Sequence, residues 1–276
     1  MNKEAKLINL NDWEKFGGGF TADSFYHKTD DSVMMKLYAD FMPPIEGYNE
    51  LCCAEEVANL GIPTAKAIEY ITDGHRYGAV FERIKNKKSI ARLLADDPEN
   101  LDYYAKLFSD QSKALHSKKC DSTYFNNIAD SLIAQINRAD YIPKEYSDEA
   151  IAIIKNTPVC DTCVHGDYHI GNMLMADDRV LWIDLGDFSY GNPLFDLGIL
   201  YFSAFASSEE MTMDLYHITC ETYQKFFKKF AEYYFDKDVD VDALLKPYQF
   251  LTAVRYTAKI GHMRDDLLEA MRNYKK

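Results

Sequence analysis

The chain has 276 residues, 47% apolar and 27% charged, the balance of a soluble globular protein long enough for one large domain or two smaller lobes. Its 44 acidic and 31 basic side chains give a formal net charge of −13. That charge excludes nucleic acid as the main partner, because phosphate binding needs a basic surface, and it fits a cytoplasmic protein or a cationic small-molecule partner.

Residues 1–15 read as a short lead-in with no apolar leader core. Phe16-Gly17-Gly18-Gly19-Phe20 reads as a glycine turn. Ser24–His27 and Val33–Tyr38, joined by Lys28-Thr29-Asp30-Asp31, predict a hairpin. Residues 48–60 predict a helix, stopped by Gly61 and Pro63. Alternation returns at 67–71 and 78–84 around the turn Thr72-Asp73-Gly74-His75, a second hairpin. From Ser89 the pattern is helical, at 89–95, 99–117, 124–139 and 147–156. Short strands follow near 172–175 and 180–184, then helices at 193–206, 209–235, 240–252 and 253–274. This order predicts an α+β chain of two lobes, 1–84 and 85–276, with a linker near 83–88. No run approaches the roughly 18 apolar residues of a membrane span. The 20 tyrosines and 16 phenylalanines read as core filling.

The chemistry concentrates in Val164-His165-Gly166-Asp167-Tyr168-His169-Ile170-Gly171-Asn172-Met173-Leu174 and in Leu181-Trp182-Ile183-Asp184-Leu185-Gly186. Phosphoryl transfer needs one carboxylate to receive a hydroxyl proton, and further oxygens to hold magnesium on nucleotide phosphates. Asp167, in a loop beside Gly166, suits the first task. Asn172 and Asp184, at the ends of a short hairpin, suit the second, because magnesium needs only one or two protein oxygens. A carboxylate buried after Val180-Leu181-Trp182-Ile183 would need a counterion. Lys36 lies inside the apolar strand Val33–Tyr38, so its ammonium needs an anion. Glu50 on the following helix is the preferred carboxylate partner, with Glu55 and Glu56 as rivals. Gly17, Gly18 and Gly19, one strand earlier, suit a close approach to phosphate.

These motifs resemble the aminoglycoside phosphotransferase and choline kinase-like family over nearly the whole chain. The resemblance implies a bilobal protein-kinase-like fold, with a small antiparallel-sheet N-lobe carrying one helix and a large, mainly helical C-lobe. It implies a small-molecule kinase that uses ATP, with GTP as the alternative, and magnesium. The acceptor would be a hydroxyl-bearing aminoglycoside, amino alcohol or sugar. Lys36 matches the N-lobe lysine and Glu50 its helix partner. Phe81-Glu82-Arg83-Ile84 resembles the hinge that meets adenine, and Leu115-His116 the end of the first long C-lobe helix. Pro193-Leu194-Phe195-Asp196-Leu197-Gly198 resembles the segment after the metal motif, where Asp196 is structural or borders the acceptor.

Because acceptor carboxylates in this family come from C-lobe helices, Glu209, Asp265 and Asp266 are acceptor candidates. Tyr201 is a candidate acceptor wall. Two other function classes remain open at this point, a non-catalytic nucleotide-binding module and a protein kinase. Against the second, Gly166 stands where protein kinases carry arginine.

Six cysteines, Cys52 and Cys53 among them in a helical run, fit reduced thiols in a cytoplasmic compartment rather than a disulfide framework. Cys160-Asp161-Thr162-Cys163 is a single CxxC without the second pair a structural zinc would need.

Overall fold

A computed structural model describes residues 4–18, 21–120, 123–177 and 179–274. In chain order the elements begin with β1 (Lys6–Leu7), β2 (Trp13–Gly18), β3 (Ala22–His27), β4 (Val33–Tyr38), α1 (Ile45–Asn59), β5 (Ala67–Thr72) and β6 (Tyr77–Glu82). Next come β7 (Lys87–Ser89), α2 (Ile90–Asp96), α3 (Leu101–His116), α4 (Ile128–Arg138) and α5 (Lys144–Asn156). They are followed by β8 (Thr162–Val164), β9 (Met173–Ala176), β10 (Arg179–Trp182) and β11 (Ser189–Gly191). The chain closes with α6 (Leu194–Phe205), α7 (Glu209–Tyr216), α8 (Cys220–Tyr234), α9 (Val241–Ile260) and α10 (Asp265–Tyr274). Two compact units result, Met1–Lys87 with Leu174–Gly186, and Lys88–Met173 with Asp187–Lys276.

The first unit is a six-stranded sheet in the order β1-β5-β6-β4-β3-β2. Its neighbours are antiparallel except for the parallel pair β1 and β5. Strand periodicity decides what β4 presents. Met35 and Leu37 join the apolar cluster of Phe25, Ile71 and Val80 on one face, so Lys36 between them points to the other. Helix α1 lies on that second face and buries Gly47, Glu50, Leu51, Ala54 and Val57. Glycine permits the approach. A Cβ on Gly47 would meet Gly78 Cα at 2.9 Å, and one on Gly78 would meet the Lys36 carbonyl oxygen at 2.2 Å.

Helix α1 starts at Ile45, a turn earlier than expected, because Pro43-Pro44 supplies a pre-set first turn and the Pro43 carbonyl accepts from Glu46 N. The glycine run is not a loop where it is described. Gly17 and Gly18 extend β2 and pair with Ser24 and Asp23, after a register shift beyond Lys15. Gly19 lies outside the described residues.

The β9–β10 hairpin from Leu174 onward belongs to the first unit, although the expected boundary puts it with the C-terminal residues. Ala176 and Leu181 pack with Ile84, Trp182 N donates to Pro63 O at 2.9 Å, and Arg179 pairs with Glu82 at 2.8 Å.

The second unit is helical around α6, which is buried without a break from Phe195 to Ala204. Helices α6 and α9 pack together, as do α3 and α8. The helix expected at 209–235 divides at His217, which is left-handed (φ 59°). Thr219 then caps α8 by accepting from Thr222 N at 3.1 Å. The break expected at 252/253 is absent. Helix α9 runs on to Gly261 (φ 82°), which ends it in the usual left-handed way. The short ribbon of β8 and β11 pairs Val164 with Ser189 and Thr162 with Gly191, which fixes the strand that leads into His165. Among the described residues no helix is long and apolar enough to cross a membrane.

The close approach at Gly78 carries a stability prediction. Gly78→Ala is expected to lower the unfolding free energy in urea by about 2 kcal/mol or more, because the added methyl meets ladder backbone rather than a movable side chain. Gly17→Ala, where nothing lies within 4 Å, is expected to stay within about 0.5 kcal/mol of the parent.

Candidate active site

In the first unit, the face of β4 that carries Lys36 borders a cavity of about 260 Å³. Lys36 Nζ lies 3.0 Å from Glu50 Oε1 and 3.2 Å from Asp184 Oδ1. The Tyr38 hydroxyl donates to the other Glu50 oxygen. Burial works against the charge on Lys36, yet the carboxylates of Glu50 and Asp184 outweigh it and hold the ammonium well above its ordinary 10.5. Burial pushes the Glu50 carboxyl up, against the pull of Lys36.

Glu50 is therefore the partner among the three candidates. It falls on the buried stripe of α1, whereas Glu55 is exposed and Glu56 accepts from Asn59 Nδ2 at 3.4 Å. Asp184 differs from the expected buried carboxylate, since its side chain is 52% exposed. Its left-handed backbone (φ 59°), directly after β10 and Ile183, and the ammonium of Lys36 hold it in place.

Phe81, Glu82 and Ile84 line the same cavity, with Phe16, Ser24, Met34 and Lys87. Arg83 does not. Its guanidinium covers the Tyr26 ring at 3.6 Å, and its amide donates to Ser32 O at 2.8 Å. Gly17 and Gly18 also lie off the cavity wall, which Phe16 meets with a side chain stacked on Tyr26. Phe16 and Lys87 had no motif to mark them in the sequence.

In the second unit, the loop after β8 is built on Asp196. This carboxylate is fully buried, at 0% exposure. It accepts from His165 N at 2.6 Å and Gly166 N at 2.8 Å, and lies 3.1 Å from His116 Nε2. Tyr234 in turn holds His116 Nδ1 at 2.8 Å. Gly166 is left-handed (φ 83°), and a Cβ there would strike the Asp187 carbonyl oxygen at 2.1 Å, so only glycine fits.

Asp167 emerges from this anchored turn. Asn172 Nδ2 donates to its carbonyl at 2.8 Å and to its Oδ2 at 3.3 Å, and His169 Nε2 lies 3.7 Å from Oδ2. Burial pushes the Asp167 carboxyl up, but the nearby His169 side chain, with the positive field of Lys259 and His165, outweighs it. Together they hold the group well below the usual carboxylate range. With Nδ2 engaged, Asn172 presents its carbonyl oxygen. That oxygen and the Asp184 carboxylate are hard donors of the kind magnesium takes.

The structure also brings in residues that the sequence did not mark. Lys259 Nζ meets Asp187 Oδ2 at 2.7 Å, and Arg255 reaches the same oxygen at 3.5 Å. These partners lie on α9, far along the chain from Asp187, so no local spacing could show them. Tyr216 sets its ring edge-on to His169 and is pushed up to about 12 by burial.

The acceptor candidates fare differently. Asp196 is no acceptor contact, because its carboxylate is buried and engaged by His165, Gly166 and His116. Tyr201 is core, its ring packed on Phe205 and Phe227 and its hydroxyl given to Asp242 at 3.0 Å. Glu209 is exposed and caps α8 by accepting from Cys220 N at 3.0 Å. Asp266 pairs with Arg264 at 2.7 Å, while Asp265 is an exposed residue of the first turn of α10.

The profile of the phosphotransferase enzyme family (APH) matches residues 12–226. No curated protein sequence matches the chain. Among solved structures, the apo form of a thermostable mutant of aminoglycoside phosphotransferase APH(4)-Ia is similar at a TM-score of 0.68 and 12% identity, covering 96% of this chain and 92% of that one. Amicoumacin kinase hAmiN, in complex with AMP-PNP, Ca2+ and Ami, is similar at 0.60 and 13% identity over 98% and 89% of the two chains. A choline/ethanolamine kinase family protein from Mesorhizobium loti is similar at 0.59 and 14% identity over 95% and 85%. At these identities the likeness is one of fold, the bilobal, protein-kinase-like α+β fold. The profile spans well over half of the sequence and includes Lys36, Asp167, Asn172 and Asp184, and the chain belongs to the phosphotransferase enzyme family.

Proposed function

We propose that this phosphotransferase is a small-molecule kinase that moves the γ-phosphoryl group of ATP to a hydroxyl of a small acceptor. The observation that carries the reading is the Asp167 carboxylate, which projects from an anchored turn with Asn172 Nδ2 donating to its carbonyl at 2.8 Å and to its Oδ2 at 3.3 Å. An alcohol gives up its proton far above neutral pH, so attack on phosphorus is helped by a carboxylate that orients the hydroxyl and receives that proton. Lys36 supplies a cation for the nucleotide phosphates, and Phe81, Glu82 and Ile84 supply a wall for its base. Asn172 Oδ1 in the second unit and the Asp184 carboxylate in the first are each oxygens of the kind magnesium takes, and magnesium, when bound, would neutralise charge on the phosphates. AMP-PNP with a divalent ion in the amicoumacin kinase, a protein of like fold, supports this reading.

Catalysis here is positioning and charge neutralisation rather than covalent chemistry. In the second unit, Asp196 holds the amides of His165 and Gly166, so the backbone that carries Asp167 does not have to order itself during each turnover. The acceptor in this reading is a small hydroxyl-bearing molecule. The six cysteines are free of disulfides, and a cytoplasmic setting is part of the same reading.

Two measurements test the assignment. In an ATP-consumption screen over aminoglycosides, choline, ethanolamine, sugars and amino acids, Asp167→Ala is expected to lose turnover on the acceptor found by at least about a thousandfold while still binding nucleotide. Full turnover by that variant would remove Asp167 from the chemistry.

The second measurement uses pH. The folded carboxyl lies below its ordinary 3.8, so its stabilising contribution is complete above that value and disappears as the pH falls through the folded pKa. Asp167→Asn is therefore expected to be less stable than the parent at pH 7 in urea, with the difference shrinking steadily below about pH 4. A difference that stays constant down to pH 2 would contradict a depressed carboxyl.

A further inference from the structure

Glu50 and Lys36 share a third residue that no sequence motif marks. Tyr38 closes β4 two positions after Lys36, so strand alternation sends both side chains to the face that α1 covers. Tyr38 is buried there. Its hydroxyl donates to Glu50 Oε2, while Glu50 Oε1 lies 3.0 Å from Lys36 Nζ. The Tyr38 ring meets the same ammonium, with Nζ 5.5 Å from its centroid, within the range at which a cation is drawn to an aromatic face. One side chain thus touches both members of the ion pair, the carboxylate with its polar tip and the ammonium with its ring.

We infer, on the reading of Lys36 as the phosphate anchor, that Tyr38 is a positioning residue that fixes this ammonium where nucleotide phosphates meet it. A carboxylate can turn and offer either oxygen. With Oε2 taken by Tyr38, Glu50 turns Oε1 to Lys36. Burial disfavours the charge on Glu50, and a hydroxyl that donates to the ionised form offsets part of that effect.

Lys36 has a second carboxylate within reach. Asp184 Oδ1 lies 3.2 Å from Nζ, on a side chain that is half exposed. A lysine ends a long flexible stem, and an ammonium shared between two carboxylates can follow either one. Tyr38 reinforces the Glu50 arm, so Nζ stays with Glu50 when Asp184 takes another partner.

Calorimetric titration of the full chain with magnesium AMP-PNP and, separately, with adenosine tests this in Tyr38→Phe and Tyr38→Leu, each first checked for a cooperative melt, with Lys36→Met as the control. Tyr38→Phe keeps the ring and loses the donor, whereas Tyr38→Leu loses both. AMP-PNP affinity is expected to fall about threefold or more in Tyr38→Phe and further in Tyr38→Leu. Adenosine, which has no phosphate for Lys36 to hold, is expected to bind both variants within about twofold of the parent. Tyr38→Phe is expected to add nothing to the loss in Lys36→Met, because the two act as one unit. Equal losses for adenosine and AMP-PNP would make Tyr38 a packing residue and overturn the inference, as would an unchanged AMP-PNP affinity in both Tyr38 variants beside a weakened Lys36→Met. Parent-like AMP-PNP binding by Lys36→Met would instead remove the anchor itself, and the positioning role with it.

Discussion

A single ammonium inside a β-sheet organises the first unit of this protein. Lys36 occupies a strand position whose neighbours Met35 and Leu37 are fully buried, and a charge there is tolerated only if it is matched. Glu50 and Asp184 match it from two directions, one from α1 and one from the segment after β10. The requirement reaches into the packing. Helix α1 approaches the sheet closely enough for Glu50 to meet Lys36 because Gly47 and Gly78 leave no side chains in the way. The Asp184 carboxylate stays half exposed, so it keeps an oxygen for a further partner while Lys36 holds the first.

The second unit solves a different problem by a related means. Asp196 places a carboxyl group in an apolar helix, and its oxygens are met by two backbone amides and a histidine rather than by a long cationic side chain. Hydrogen bonds of this kind are short and directional, and here they fix the turn from which Asp167 projects. Gly166 is obligatory in that turn on two counts, its left-handed backbone and the carbonyl of Asp187 against it. Lys259 and Arg255 neutralise Asp187, so the C-terminal part of α9 supports the same loop from outside.

Much of this was legible in the sequence wherever the cause was local. The hairpins β3–β4 and β5–β6 follow from alternation and turn residues, and the Lys36–Glu50 pair follows from a charge in an apolar strand beside an amphipathic helix. The first described glycines misled because an uninterrupted glycine run reads as a turn, whereas neighbouring β3 recruits Gly17 and Gly18 into the ladder. The division of α7 from α8 was hidden because His217, rather than glycine, takes the left-handed position. Asp196 and Tyr201 carried motif positions suggestive of an acceptor, but α6 is buried on every side and turns both inward. The pair Asp187–Lys259 joins distant parts of the chain, and no periodicity reports such a contact.

The central claim is that the Lys36 ammonium is the phosphate anchor of a nucleotide site, and titration of Lys36→Met with magnesium AMP-PNP tests it most directly. The account predicts that affinity falls by roughly tenfold or more, about 1.4 kcal/mol or above, in a protein whose melting profile remains cooperative. An unchanged affinity in that folded variant would contradict the account.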